Sequence, residues 1–350
     1  MARSVIGLDI GSSAVRAAEL RGTSPATLVR FAQVALPPGA VVNGEIVDPA
    51  LTASVIKDLW ARGQFRRKRV SVAVAASSVV VRQVDIPRVE EGDLREGLAY
   101  QVGDYIPYAA EEAMLDFLPL DEISGPEGQE MVRLLIVAAQ RDTVDRAVTT
   151  VREAGLDPMD IDLAPFATVR ALVDEIPPVL AERQAVAIID IGAGMTNVVV
   201  CERGIPRFAR LLAAGGSDIT TALAGGLSIP VEEAEHQKAI LGVAPEGVAP
   251  EAGGQAIIQE RVRLFIEDVR ASLAFYASQP DAADVRSVLL TGGGSLLPGL
   301  RDRVASALSL QVDMADALAR VKIGDLGLSE EQLEHVRAVA SVAIGLGLES

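Results

Sequence analysis

Asp9 and Asp190 stand in matching surroundings. Ile6-Gly7-Leu8-Asp9-Ile10-Gly11-Ser12-Ser13 returns as Ile188-Ile189-Asp190-Ile191-Gly192-Ala193-Gly194-Met195-Thr196. Each copy reads as an apolar strand ending in Asp, a Gly-rich hairpin, and a second apolar strand, over Ala14 to Leu20 and Asn197 to Cys201. Glycine lets the main chain approach a ligand closely, and converging backbone N–H groups hold phosphate oxygens. Ser12, Ser13 and Thr196 add hydroxyl donors. The carboxylates of Asp9 and Asp190 would repel phosphate directly. Mg²⁺ resolves the repulsion, because it takes one or two carboxylates together with phosphate oxygens. One copy alone reads equally as an ordinary β-turn. Two copies 181 residues apart predict facing hairpins with a nucleotide clamped between them.

Two further segments carry chemistry. Leu289-Leu290-Thr291-Gly292-Gly293-Gly294-Ser295 follows a strand pattern and precedes a helix. It is either a flat surface for a purine or a flexible turn. Glu235 and Lys238 are three apart and share a helical face. They are either ligand contacts or a surface ion pair, and a lysine is uncommon in a chain with 4 Lys and 28 Arg. The isolated His236 adds no catalytic signal. Hydrolysis needs a group that positions water, and no residue has that signature. Asp160 and Asp162 precede a helix, and Asp162 is expected to cap it rather than reach a γ-phosphate. The expectation is nucleotide binding with slow or absent turnover.

The elements that must position these residues alternate between strand and helix patterns. Residues 4–10, 14–20 and 28–36 read as a strand meander, 49–62 as a helix, and 70–76 and 79–86 as strands. An acidic helix over 90–102, strands over 114–120 and 131–138, and a helix over 141–154 form a helix–strand–strand–helix block. A helix over 163–173 leads to Pro177-Pro178, a hinge-like boundary. Residues 217–280 are mostly helical, with a loop at 244–254. A strand over 285–290 and helices over 300–308 and 331–346 follow. The last helix carries a small-residue run, Ala338, Ala340, Ser341, Ala343, Gly345 and Gly347, suited to close helix packing.

Composition narrows the function classes. The 350 residues predict about two domains, and 49% apolar content supplies their cores. A net charge of −16 argues against sequence-independent binding to nucleic acid or anionic membranes. Residues 84–161 hold 18 Asp/Glu and 6 Arg with no Lys, a local charge of −12. That block is either a solvated acidic surface or a docking face for a basic partner. The run Arg66-Arg67-Lys68-Arg69 reads as solvated strand-edge charge. With Cys201 the only cysteine, no internal disulfide can form, which allows a cytosolic setting. Asp9 interrupts the first apolar run, so no signal peptide is expected, and no stretch is long enough to span a bilayer.

In the order hairpin, hairpin, Glu-x-x-Lys helix and Gly-Gly-Gly turn, the chain resembles the actin-like ATPase superfamily. The inserted block is more specific. Gln101-Val102-Gly103-Asp104-Tyr105-Ile106-Pro107-Tyr108 precedes Met114-Leu115-Asp116-Phe117, and Leu134-Leu135-Ile136-Val137-Ala138-Ala139 and Ala154-Gly155-Leu156 follow. These residues resemble the PilM family, cytoplasmic actin-like proteins of type IV pilus assembly related to the division protein FtsA. The resemblance covers nearly the whole chain. It implies an α/β actin-like ATPase fold of two RNase H-like lobes with an inserted α+β subdomain. The first lobe would span 1–83, completed by 162–184 and 330–350. The partner-binding insert would span 84–161. The second lobe would span 185–329, with 217–284 as its helical subdomain.

The resemblance also implies roles. Asp9, Gly11, Ser12 and Ser13 match the first phosphate loop, and Asp190, Gly192, Gly194, Thr196 and Asn197 the second. Glu235 and Lys238 match the ribose- and base-contacting pair, and Gly292, Gly293, Gly294 and Ser295 the adenosine loop. Gly215-Gly216 matches a glycine pair near the nucleotide. Arg16 stands where many relatives carry Lys, and Ala193 where actin has Asp, which removes one metal or water ligand. The implied cofactors are ATP and Mg²⁺, the metal held by Asp9 and Asp190. The implied partner is the N-terminal cytoplasmic peptide of PilN, in a groove between the first lobe and the insert. Other pilus inner-membrane and motor components would join it, and self-association is open. The protein would be cytoplasmic and held at the inner membrane through these partners, without inserting itself. The alternatives are an FtsA-like filament-forming ATPase or a small-molecule kinase of the same superfamily. The ending Gly347-Leu348-Glu349-Ser350 predicts no amphipathic membrane helix of the FtsA kind, and a chaperone ATPase would need a further substrate domain.

Overall fold

The computed structural model describes residues 4–22, 25–174, 184–250 and 253–348. The Pro177-Pro178 boundary lies outside the described residues, as do the last two residues of the chain. Strands β1 (Ser4–Ile10), β2 (Ala14–Arg21) and β3 (Thr27–Ala35) open the chain, followed by a short hairpin of β4 (Val41–Val42) and β5 (Glu45–Ile46), helix α1 (Pro49–Arg62) and β6 (Arg69–Val74). Next come β7 (Val80–Pro87), α2 (Glu91–Val102), β8 (Ala113–Ser124), β9 (Glu130–Gln140), α3 (Arg141–Glu153), β10 (Asp157–Leu163) and α4 (Ala164–Leu172). The second half holds β11 (Gln184–Ile191), β12 (Thr196–Glu202), β13 (Ile205–Leu212), α5 (Gly216–Leu227), α6 (Val231–Leu241) and α7 (Gly254–Ala277). It ends with β14 (Asp284–Thr291), α8 (Leu300–Leu308), β15 (Gln311–Met314), β16 (Lys322–Ile323), α9 (Glu330–Val339) and α10 (Ser341–Gly347).

Two large sheets share one topology. The first runs β10-β6-β1-β2-β3-β16 and the second β15-β14-β11-β12-β13. In both, an antiparallel three-strand meander is extended on its first strand by two parallel strands. This is the duplicated RNase H-like lobe of the actin-like fold. Both sheets are buried on two faces, so their central strands are nearly continuous apolar runs. Alternation then sorts neighbours: Ile189 packs with the α7 and α8 side chains, and Ile188 with Val169 of α4.

The third sheet, β7-β9-β8, is antiparallel and carries α2 on one face through Leu94, Leu98 and Val102. Sheet membership places its edges differently from the 84–161 block. Residues from Val80 already pair with β9, whereas α3 packs against α1 and β10 pairs with β6. Strands β10, β15 and β16 escape the sequence reading, being short or rich in polar residues, and so does β13, whose apolar run is interrupted by Pro206, Arg207 and Arg210. Asp160 and Asp162 therefore lie in a sheet-edge strand. Leu163 takes the N-cap position of α4 with no side-chain bond, and Asp162 instead pairs with Arg170 and accepts from Leu163 N–H at 2.7 Å. The expected cap is thus displaced by an ion pair. Arg66 through Arg69 are exposed, as a solvated run should be.

The expected last helix is broken at Ala340 into α9 and α10. The break follows from outside bonds: the Ala338 carbonyl accepts from Gly292 N–H at 2.7 Å and from the Thr291 hydroxyl at 2.9 Å. Beyond it, α10 is fully buried and packs on α4, β1 and β2, as its small residues predict. A Cβ at Gly345 would lie 1.8 Å from the Ala167 carbonyl oxygen. Backbone cannot yield there, so Gly345→Ala is expected to cost about 1–3 kcal/mol or more in urea unfolding. Gly97→Ala on α2, whose Cβ would meet only the flexible Gln101 side chain at an ordinary 3.6 Å, should instead be neutral or stabilise by up to about 1 kcal/mol.

Candidate functional site

The two hairpins meet tip to tip. Gly11 N–H donates to the Ala14 carbonyl at 3.0 Å, and Gly192 N–H to the Met195 carbonyl at 2.9 Å, so both turns close the same way. A Cβ on Gly194 would sit 2.8 Å from the Ser12 hydroxyl oxygen, so only glycine lets the tips approach this closely. The start of α5 docks on the second tip, with Gly216 N–H on the Gly192 carbonyl at 3.0 Å and Ser217 N–H on that of Ala193 at 2.8 Å. Gly215 is required there, since its Cβ would meet the Ala193 carbonyl oxygen at 2.4 Å.

A cavity of about 440 Å³ opens beside the tips. Its walls include Asp9, Gly11, Ser12, Ser13 and Arg16 from the first lobe and Asp190, Gly192 and Asn197 from the second. Glu235, Lys238, Gly216 and the turn Gly292 to Gly294 complete it. Register explains the arrangement. Asp9 lies opposite Arg16 across β1–β2, and Asp190 opposite Asn197 across β11–β12. Arg16 NH1 donates to Asp9 at 3.3 Å while its Nε donates to Gln33 at 2.8 Å, and Asn197 Nδ2 donates to Asp190 at 3.1 Å. The same position thus supplies a cation in one lobe and a neutral amide in the other.

Electrostatics follow from that difference. Burial raises the Asp9 carboxyl above its usual value, against the pull of Arg16. Burial and then the Asp9 charge push Asp190 up to about 6, because Asn197 offers only a hydrogen bond. The Asn197 Oδ1 is buried without a partner. Gly292 has φ +83°, and a Cβ there would lie 2.5 Å from Asp190 Oδ1, so this turn must be glycine to pass the carboxylate.

Glu235 and Lys238 form more than a surface pair. Lys238 Nζ donates to Glu235 at 2.7 Å, Thr220 at 2.9 Å and the Gly216 carbonyl at 3.1 Å, tying α6 to the first turn of α5. Burial raises the Glu235 carboxyl, but the hydrogen bonds of Lys238 and Thr220 together hold it below its ordinary value. Four sequence-predicted residues, Gly194, Thr196, Gly215 and Ser295, stand behind the wall rather than on it. The Thr196 hydroxyl is buried and donates to the Ala214 carbonyl at 2.8 Å, and the Ser295 hydroxyl to that of Gly292 at 2.6 Å. They shape the turns, and their protons are not available to a ligand. Ser12 and Ser13 keep hydroxyls without a protein partner among the described residues. Gln33 and His335 line the cavity and carry no local sequence signal. Burial, then the Arg16 charge, holds the His335 imidazole below its ordinary value.

The family model for type IV pilus assembly protein PilM matches residues 7–350. The chain belongs to the PilM family. Its fold is similar to a solved PilM-PilN type IV pilus biogenesis complex, at TM-score 0.85 and 28% identity, covering 99% of each chain. Among curated proteins it is similar to the cell division protein FtsA of Neisseria meningitidis, 24% identical over 349 residues, with 89% of this chain and 83% of that protein covered. The FtsA of Bacillus subtilis is 27% identical over 271 residues, 70% of this chain, and the match spans only 58% of that relative. MreB5 of Spiroplasma citri bound to ADP shares the fold, at TM-score 0.54 and 14% identity, over 98% of this chain and 94% of that one. No helix among the described residues is long and apolar enough to cross a membrane.

The raised Asp190 value sets a pH dependence. Its folded pKa exceeds the unfolded one, so its contribution favours folding at low pH and is lost as pH rises from about 4 to about 6. Asp190→Asn should therefore flatten stability across that window and raise it at pH 7 by up to about 3 kcal/mol. Urea unfolding at a series of pH values measures both, and an unchanged slope would refute the assignment.

Proposed function

We propose that this protein is an ATP–Mg²⁺-binding adaptor of the type IV pilus inner-membrane platform that docks the N-terminal cytoplasmic peptide of PilN. One observation carries the nucleotide reading. Two half-buried carboxylates from matching strand ends of separate lobes line one cavity, flanked by Arg16 and Lys238. The cavity residues fit the cofactor. Among the described residues no group of three His, Cys, Asp or Glu could hold a metal, so Asp9 and Asp190 suit an ion that brings phosphate oxygens and water of its own. Free Ser12 and Ser13 hydroxyls and glycine backbone would hold the phosphates. The Gly292 to Gly294 turn, Ile219 and Leu296 offer a base a flat apolar surface.

Mg²⁺ would supply charge neutralisation between the carboxylates and the phosphates. The chain's own residues orient that charge: Gln33 aims Arg16, Asn197 holds Asp190, and Lys238 stays bound to α5. Slow or absent turnover remains part of this reading, and Asp160 and Asp162 stand apart from the cavity. Neither lines the cavity; Ser71 donates to Asp160 at 3.4 Å, and Arg170 pairs with Asp162. The PilN reading is supported by the similarity to the PilM-PilN complex. On this reading the protein would act in the cytoplasm, held at the inner membrane through its partners.

Titration calorimetry with ATP–Mg²⁺ tests the site. Asp190→Ala is expected to weaken binding at least about tenfold, with turnover below that of an enzyme in both proteins; equal affinity would sink the reading. The acidic 84–161 block is expected to steer a basic peptide. The affinity of a PilN N-terminal peptide should fall several-fold between roughly 0.05 and 0.3 M salt, where screening shortens below about 10 Å. A salt-independent constant would remove the steering and leave the docking.

A further inference from the structure

The three-stranded sheet is joined covalently to the first lobe at both ends, through β6–β7 and β9–α3. Its polar face nevertheless binds the second lobe. Asp85 of β7, Arg133 of β9 and Asp121 of β8 lie opposite one another in the ladder and so point to one face. A register shift between Pro119 and Asp121 makes this row. Without that bulge, Leu120 would stand opposite Arg133 and Asp121 would face the other side. Arg133 is 7% exposed and grips Asp85 with two bonds, at 2.7 and 2.9 Å.

Second-lobe residues complete the row with alternating sign. Arg133 NH1 donates to Asp281 at 3.2 Å and to the Pro280 carbonyl at 3.4 Å, both just past α7. In the opposite sense Arg207 of β13, 6% exposed, pairs with Asp121 and is backed by the buried Glu202. Gln83 Nε2 donates to the Arg207 carbonyl at 2.7 Å. A cleft of about 930 Å³ lies along the same join. These polar bridges share the attachment with apolar packing of Val81 against Ala209 and Cys201 of the second lobe.

One second-lobe anchor, Arg207, sits on a strand that leads toward the cavity, and Asp281 sits in the turn before another. Strand β13 runs from Arg207 toward Gly215 and Gly216. Strand β14 begins just after Asp281 and ends at Thr291, beside Gly292. A strand in a buried sheet is stiff, so displacement at one end reaches the other. We propose that the Asp85–Arg133–Asp121 row is a latch that makes the three-stranded sheet ride with the second lobe, so that nucleotide-driven movement of that lobe repositions the partner-docking sheet. Arg133 and Arg207 are positioning residues in this device, which rests on the nucleotide reading above.

The test uses the full chain and amide hydrogen exchange, with and without ATP–Mg²⁺. Asp121→Asn with Asp281→Asn removes both cross-lobe charges from the more exposed partners, and Asn suits the φ of +59° at position 281. Without nucleotide, exchange in β8 and β9 should rise roughly tenfold in the double variant while β1 and β11 stay unchanged. With ATP–Mg²⁺, the wild-type sheet should gain protection, and the variant should bind ATP within about twofold of wild type yet show no such gain. Wild-type exchange in the nucleotide-free variant, or an equal gain of protection in both proteins, overturns the latch. If ATP protects no residue of Gly192 to Thr196 in the wild type, the nucleotide reading fails, while the nucleotide-free comparison still decides the latch.

Discussion

Two half-buried carboxylates of like charge, each at the end of a strand in a different sheet, are the constraint on which the rest of the structure depends. Burial disfavours both charges, and each makes the other worse. The lobes answer unequally. Arg16 neutralises Asp9, and Asn197 gives Asp190 only one hydrogen bond. The surplus negative charge is left on the second lobe, where a cation would be most favourable. A fold selected for stability alone would not keep it there. Gly194, Gly215 and Gly292 serve the same arrangement, because each lets backbone or carboxylate come closer than a Cβ permits.

Around that centre the two lobes are copies in topology and opposites in detail. Both present a closed hairpin, an Asp and a partner strand. Their outer strands carry different attachments: the first lobe receives α10 against β1, and the second sends β13 and β14 to the glycine turns of the cavity. The third sheet belongs to one lobe by chain connection and to the other by buried charge. Membership of the PilM family fits this plan, since an assembly component needs a surface that reports on its interior.

Much of this was legible in residue types. The hairpins announce themselves through glycine and aspartate beside apolar runs, and the buried α10 through its small residues. Glu235 and Lys238 were visible as a pair, but their tie to Thr220 and Gly216 was not, because those residues lie on another helix. Thr196 and Ser295 looked like ligand donors and serve their own turns. Their hydroxyls find carbonyls nearer than any ligand, a competition that spacing alone does not reveal. Asp162 looked like a cap and became an ion-pair partner of Arg170, its other oxygen taken by the Leu163 N–H, because the helix starts one residue later with Leu163 at the cap position.

The sequence by itself determined the two-lobed α/β plan, the duplicated Asp-Gly hairpins and the acidic middle. These depend on local periodicity, on glycine and on net charge, all of which are properties of neighbouring residues. Tertiary structure alone decided that Gln33 and His335 join the cavity, that Ala340 breaks the last helix, and that Arg133 and Arg207 bridge to the second lobe. Each of these depends on pairings between residues far apart in the chain, whose energies exist only once the sheets have brought them within hydrogen-bonding reach.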